Sequence, residues 1–441
     1  MARATTDTPS APTDPLAISD VDVLETAASS VRITWRTNVP ARTLTAFGLD
    51  APAIWMPPDG DAVLEHESVL EPLEPATTYH AYLRAGDEWN RTETTAVTFT
   101  TAPMPERSSA HTNFDRIVVD GRVFFPTAVW EQCSNALGSN VADGINLFMG
   151  LGCHRRDIEL PHLLDGRAYS LVDTRSAAAL GRGVIGWYYP DEWDAFVESS
   201  VTRDDLRDAI VEPRAGRIGF LTLTNHFYSR AEPLPQGKGM YPVLLSIPDV
   251  IGFDLYPLQG WCRPAFGDVF DAQHELQYAS GGKPTFQWIE VAVMEQACGR
   301  DRTLDPTPTT VRAETWLAIA GGAKGIGYFP SRWSSSIGAE IARTNRAIRA
   351  LTPALMAAMV PAGSDIESVR VAAHTLDGAQ YVIAVNASHE PLRTRISVDG
   401  LAGRAALVYG EDRVVASDER GFSDTFAPLA AHVYVIPPRG W

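Results

Sequence analysis

Cysteine is scarce in this chain: four residues in 441, Cys133, Cys153, Cys262 and Cys298, with no Cys-x-x-Cys pair among them. That spacing excludes a thiolate zinc site, and the four read as structural thiols rather than as a disulfide framework. The ten histidines are scattered without a His-x-His pair, so a metal-dependent hydrolase lacks its ligands and no metal site is expected. No Gly-x-Ser-x-Gly elbow is present, which removes the serine hydrolases. Basic residues form no block, and 37 Lys and Arg against 54 Asp and Glu leave a net charge of −17. Nucleic acid and anionic membrane are therefore not expected partners. No apolar run reaches the ~18 residues of a membrane span. The opening "MARATTDTPSAPTDPLA" lacks the apolar core of a signal peptide, so the chain as written reads as soluble and unprocessed. Its composition encodes neither an oligomeric state nor an export route.

What is present falls into blocks. Residues 1–15, rich in Thr, Pro and Ala, form an expected disordered lead-in. From 16 to 103 short strands alternate apolar and polar residues, as in "SSVRITWRTN" and "YHAYLRAGD", with Pro, Gly and Asp turns between them. Leu73, Pro75 and Tyr79 in "LEPLEPATTYHAYLRA" are spaced like a tyrosine corner, and Trp35 suits the core. This block resembles a fibronectin type III domain, which implies a spacer or binding module and favours an extracellular site of action over a cytoplasmic one. A polar linker over 104–112 follows.

Between 113 and 361 eight apolar runs alternate with longer segments: "VFFPTAVW", "INLFMG", "YSLVDTR", "VIGWYYPDE", "RIGFLTLTN", "VIGFDLYP", "KPTFQWIEV" and "KGIGYFPSRW". Continuous Val, Ile and Phe without alternation suit parallel strands buried on both faces. The fold expected is α/β, a central (β/α)8 TIM barrel with its site at the C-terminal strand ends. A phosphate-binding barrel is not expected, because "GGAKG" precedes strand eight instead of following it. From 362 to 441 alternation returns, predicting a C-terminal β-sandwich that covers one side of the barrel.

The strand ends carry the chemistry. Strand four ends in Asp191-Glu192 and strand seven in Glu290. Both ends aim at one mouth, and two facing carboxyls are what glycoside hydrolysis requires. Aromatic residues stand at the same ends, including Trp130, Tyr189, Trp288, Tyr328 and Trp333, and flat rings suit the C–H faces of sugars. Asn225, His226, Asp254 and Tyr256 close strands five and six and complete the candidate substrate contacts.

Glu192 and Glu290 in these positions, with "GFDLYP" and "AETWLAIAGGAKGIGYF", resemble the clan A glycoside hydrolases and their β-galactosidase-like members over residues 113–345. The resemblance implies a retaining hydrolase without a cofactor, acting on a carbohydrate, with Glu192 as acid/base and Glu290 as nucleophile. Many members carry Asn before the acid/base, whereas this chain has Asp191. The rival reading is a non-catalytic carbohydrate-binding or adhesion protein, which keeps the aromatics and needs only one carboxylate.

Overall fold

A computed structural model describes residues 14–57, 60–173, 181–211, 214–294, 298, 302–330, 332–401 and 403–439. Most of the expected lead-in lies outside these residues. The chain divides into two compact units, one of residues 1–102 with 440–441 and one of 103–439.

The first unit is antiparallel. An 18-residue strand, Val31–Gly48, runs through two ladders. Its first part pairs with Ile18–Leu24 and Val63–Leu70, its second with Ile54–Trp55 and Thr78–Gly86. Alternation drives this, because every second residue from Val31 to Thr37 is buried. Trp35 is buried and stacks on His66 at 5.5 Å, and the Tyr79 hydroxyl accepts the Glu74 N–H at 3.0 Å.

The second unit is built on a closed barrel of eight parallel strands, the fold class the sequence predicts. The strands are Thr127–Gln132, Leu147–Leu151, Tyr169–Asp173, Val184–Tyr188, Ile218–Thr224, Val250–Asp254, Thr285–Glu290 and Ile326–Phe329, here barrel strands one to eight. Each lies within or against one of the eight apolar runs. Phe286, Trp288, Phe220, Met149 and Leu171 fill the interior. Small residues make room for the large rings: a Cβ on Gly327 would lie 2.2 Å from the Trp288 ring, and one on Gly252 2.2 Å from Phe286.

The helical half of the barrel is thinner than strand-helix alternation implies. Helices of 13, 13 and 21 residues follow strands six, seven and eight, at Gly267–Ala279, Pro308–Ala320 and Ser335–Leu355. Among the described residues, α-helices of only four to six residues follow strands one, two and five, and the connections after strands three and four hold none. Residues assigned to the linker are also structured. Ala110–Asn113 opens a three-stranded sheet with Arg116–Val119 and Arg122–Val123. Ala110, Ile117, Val119 and Phe124 pack into the same core as the barrel interior.

Beyond the last helix the chain forms a six-stranded and a three-stranded antiparallel sheet around Val382, Ile396, Phe422 and Tyr434. Helix Pro308–Ala320 meets both barrel strand seven and the six-stranded sheet. That sandwiching accounts for its almost continuous burial from Thr310 to Ala320.

The cysteines require a correction. They form two disulfides, Cys133–Cys153 and Cys262–Cys298, with separations of 20 and 36 residues. Each separation is about one barrel unit, so each bond joins two consecutive loops at the C-terminal mouth: those after strands one and two, and those after strands six and seven. A local Cys-x-x-Cys search misses such pairs because the barrel closes them in space.

Candidate active site

Strand four delivers its carboxylates through an unusual turn. Glu192 has φ 46° and ψ 43°, a left-handed conformation that costs a non-glycine residue roughly 1–2 kcal/mol. Asp194 holds the turn in place. Fully buried, it accepts the Thr224 N–H at 2.9 Å, the Thr224 hydroxyl at 2.6 Å and the Tyr241 hydroxyl at 2.9 Å. The loop after strand four is thus bolted to the end of strand five.

Strand six supplies the facing group. Asp254 shares a hydrogen bond with Glu192 and accepts the Tyr256 hydroxyl at 2.7 Å. Both Asp254 and Tyr256 keep partial access to solvent. Tyr256 stacks on Phe329 of strand eight at 5.9 Å. Burial pushes the Asp254 carboxyl well above its ordinary range, and the neighbouring Asp191 and Glu192 charges add to that. Burial also raises Glu192, with help from Asp194, while its hydrogen bond from Asp254 and the nearby His226 favour the ionised form. Asp191 is pushed up to about 6 by burial and then by Glu192 and Glu131.

His226 sits beside Glu192 and is oriented by its Nδ1 contact with the Glu232 carbonyl. Asn225 accepts the Trp261 indole N–H at 3.4 Å, and Trp261 stacks between Tyr228 at 6.1 Å and the Arg263 guanidinium at 4.7 Å. These groups form the rim between strands five and six.

Glu290 does not join this cluster. It is fully buried, its Oε1 accepts the Leu258 N–H and its Oε2 the Gln259 N–H, each at 2.7 Å. Its remaining acidic neighbour is Glu314, from helix Pro308–Ala320. Burial raises Glu290 to about 7 against the two amides, and raises Glu314 well above the usual carboxylate range. With both oxygens committed in a dry site, Glu290 keeps different company from Glu192.

The aromatic candidates separate in the same way. Trp130 packs edge-on against Tyr188 at 4.8 Å and Trp288 at 6.3 Å, an aromatic layer on the barrel core. Trp288 is buried there, its indole N–H donating to Thr222 at 3.1 Å, so it is a core residue and not a surface for sugar. Tyr328 is buried and donates to Asn345 on the last barrel helix at 2.7 Å. Tyr189 is buried against Trp193 at 5.9 Å, and Trp333 donates to Asp143 at 3.4 Å. Tyr189, Tyr328 and Trp333 are thus held by scaffold contacts, and of the three Trp333 keeps partial exposure.

Three acidic residues escape a reading of strand ends. Glu131, near the end of strand one, is raised by burial and by Asp157, and in turn raises Asp191. Asp157 accepts the Leu151 and Asp173 N–H groups, each at 2.9 Å, and the Tyr188 hydroxyl at 2.8 Å, tying strands two, three and four together. Asp194 stands only two residues after Glu192, yet its role needs Thr224 and Tyr241 from elsewhere in the chain. Among the described residues no group of three or more His, Cys, Asp or Glu has the geometry to hold a metal ion.

No family model and no curated protein matches the chain. Among solved structures, it is similar to a Bacteroides fragilis NCTC 9343 protein described as an α-galactosidase/melibiase, over 96% of this chain and 98% of that one, at 12% identity and a TM-score of 0.48. A second protein of that organism, described as an α-galactosidase, aligns over 96% and 97% at 9% identity and a TM-score of 0.45. The α-amylase of Geobacillus thermoleovorans, complexed with acarbose, aligns over 71% and 98% at 8% identity and a TM-score of 0.42.

Proposed function

We propose that the chain is a glycoside hydrolase that cleaves O-glycosidic bonds of an oligo- or polysaccharide by double displacement, with its two working carboxyls on strands four and six. The observation that carries this reading is the pairing of Glu192 with Asp254, two carboxyls that perturb each other at the C-terminal mouth of the barrel. A pair whose surroundings keep one member protonated and the other charged is what acid-assisted displacement at a sugar carbon uses.

The roles follow from the donors. Asp254 holds the proton, so it protonates the departing glycosidic oxygen as that bond breaks. Glu192, facing Asp254 and beside His226, attacks the anomeric carbon and forms the glycosyl ester. Asp254, now charged, removes a proton from water, which attacks the same carbon and releases Glu192. This exchanges the roles implied by the clan A resemblance and moves the second carboxyl from strand seven to strand six. The carboxyls of retaining hydrolases stand ~5–5.5 Å apart, so a sugar entering between Glu192 and Asp254 must part their hydrogen bond.

The test is turnover of a panel of aryl α- and β-glycosides by the wild type, Glu192→Gln and Asp254→Asn. Turnover by the wild type, lost in both variants, supports the reading. Undiminished turnover in either variant removes that residue from the mechanism. Oligosaccharide binding with no turnover by the wild type gives the place to a binding protein.

A further inference from the structure

We infer that Glu290 is a positioning residue: its buried carboxylate clamps the loop after strand six, and through that loop it sets the place of Asp254 and Tyr256. The inference rests on the hydrolase reading only for its effect on turnover, and its structural half stands apart from it.

The clamp is bidentate. Leu258 and Gln259 donate consecutive backbone N–H groups to the two oxygens of one carboxylate, each at 2.7 Å. These amides lie four and five residues beyond Asp254, on the segment that also holds Tyr256. Each oxygen accepts one backbone N–H, and Glu290, Leu258 and Gln259 are all buried. The Gln259 side chain then extends the clamp, donating to the Leu304 carbonyl at 2.7 Å and accepting the Met294 N–H at 2.9 Å. Cys262–Cys298 joins the same two loops a few residues further on. Three devices therefore tie the loop of strand six to the segment that follows strand seven, and Glu290 is the one nearest the working carboxyl. Glu314 is the titratable group facing Glu290 from helix Pro308–Ala320.

The substitution Glu290→Gln tests this, because the new amide group turns a donor towards one backbone N–H. Hydrogen exchange followed by mass spectrometry on the full chain reads the loop directly. Exchange in residues 255–262 is expected to rise roughly tenfold or more, as for a lost buried hydrogen bond, with strand five, 218–224, unchanged. Unchanged exchange over 255–262 overturns the inference. Should Glu290→Gln not fold, Glu290→Asp retains the charge but is one methylene too short for both amides, and the same measurement applies. Combining Glu290→Gln with the Cys262→Ser/Cys298→Ser pair should raise exchange by more than the product of the separate effects, since the two clamps share one loop.

A kinetic readout separates this inference from the hydrolase reading. On any aryl glycoside the wild type turns over, Glu290→Gln should lower kcat more than it raises KM. Covalent trapping of the sugar on Glu290 by a 2-deoxy-2-fluoro aryl glycoside would overturn positioning in favour of a nucleophile. If the wild type turns over no glycoside, the exchange result still decides whether the clamp exists.

Discussion

Removing Asp194 should damage the site without touching the groups assigned to the chemistry. Its carboxylate is fully buried and receives three hydrogen bonds, from the Thr224 N–H, the Thr224 hydroxyl and the Tyr241 hydroxyl. Hydrogen bonds to a charged group each contribute about 1.5–3 kcal/mol. Asp194→Ala also leaves a buried N–H without an acceptor and releases the anchor of the left-handed turn at Glu192. Allowing for water entering the gap, a loss of roughly 3–5 kcal/mol is expected, a large share of a stability of about 5–15 kcal/mol. Denaturant unfolding read by tryptophan fluorescence measures it as a lower midpoint. Asp194→Asn should cost less, because one oxygen remains for the Thr224 N–H and both hydroxyls can rotate. The charge has a second effect, since Asp194 raises Glu192 and Asp191. In Asp194→Asn both should therefore titrate at lower pH, moving the acid limb of the activity profile down. A midpoint within 1 kcal/mol of wild type for Asp194→Ala, or an unmoved acid limb in Asp194→Asn, refutes this account of the turn.

Two further expectations concern the scaffold. Opening Cys262–Cys298, whose cysteines are 36 residues apart, should cost about 3–4 kcal/mol by the loop-entropy relation; an unfolding midpoint that does not respond to a reducing agent contradicts it. Burial raises Glu290 from 4.5 to about 7, so the folded chain binds more protons than the unfolded chain between those values. Stability should accordingly fall as pH rises from 4.5 through 7, by up to roughly 3 kcal/mol from this group. Glu290→Gln should flatten that slope, and an equal slope in both proteins would contradict the burial argument.

The barrel was legible because its strands are buried on both faces, which leaves unbroken apolar runs such as "RIGFLTLTN" with few competing readings. Strand-end position was legible as well: Asp191, Glu192, His226, Asp254 and Tyr256 all stand near one mouth. Side-chain partners were not. Glu290 occupies the end of strand seven as anticipated, but Leu258 and Gln259 claim its oxygens, and nothing local in "FQWIEV" announces two amides from another loop. Glu314 carried a signal of its own, a lone acid within the apolar helix "AETWLAIA". The buried aromatics show the same limit. Trp288 and Tyr328 sit at strand ends like a sugar platform, yet Thr222 and Asn345 hold them in the scaffold.

The most direct test of the central claim is chemical rescue. Glu192→Gly and Glu290→Gly would each be given a dinitrophenyl glycoside that the wild type cleaves, with and without azide. Restored turnover with a glycosyl azide product in Glu192→Gly, and none in Glu290→Gly, is the result this account predicts. Rescue of Glu290→Gly instead would return the nucleophile to strand seven and contradict it.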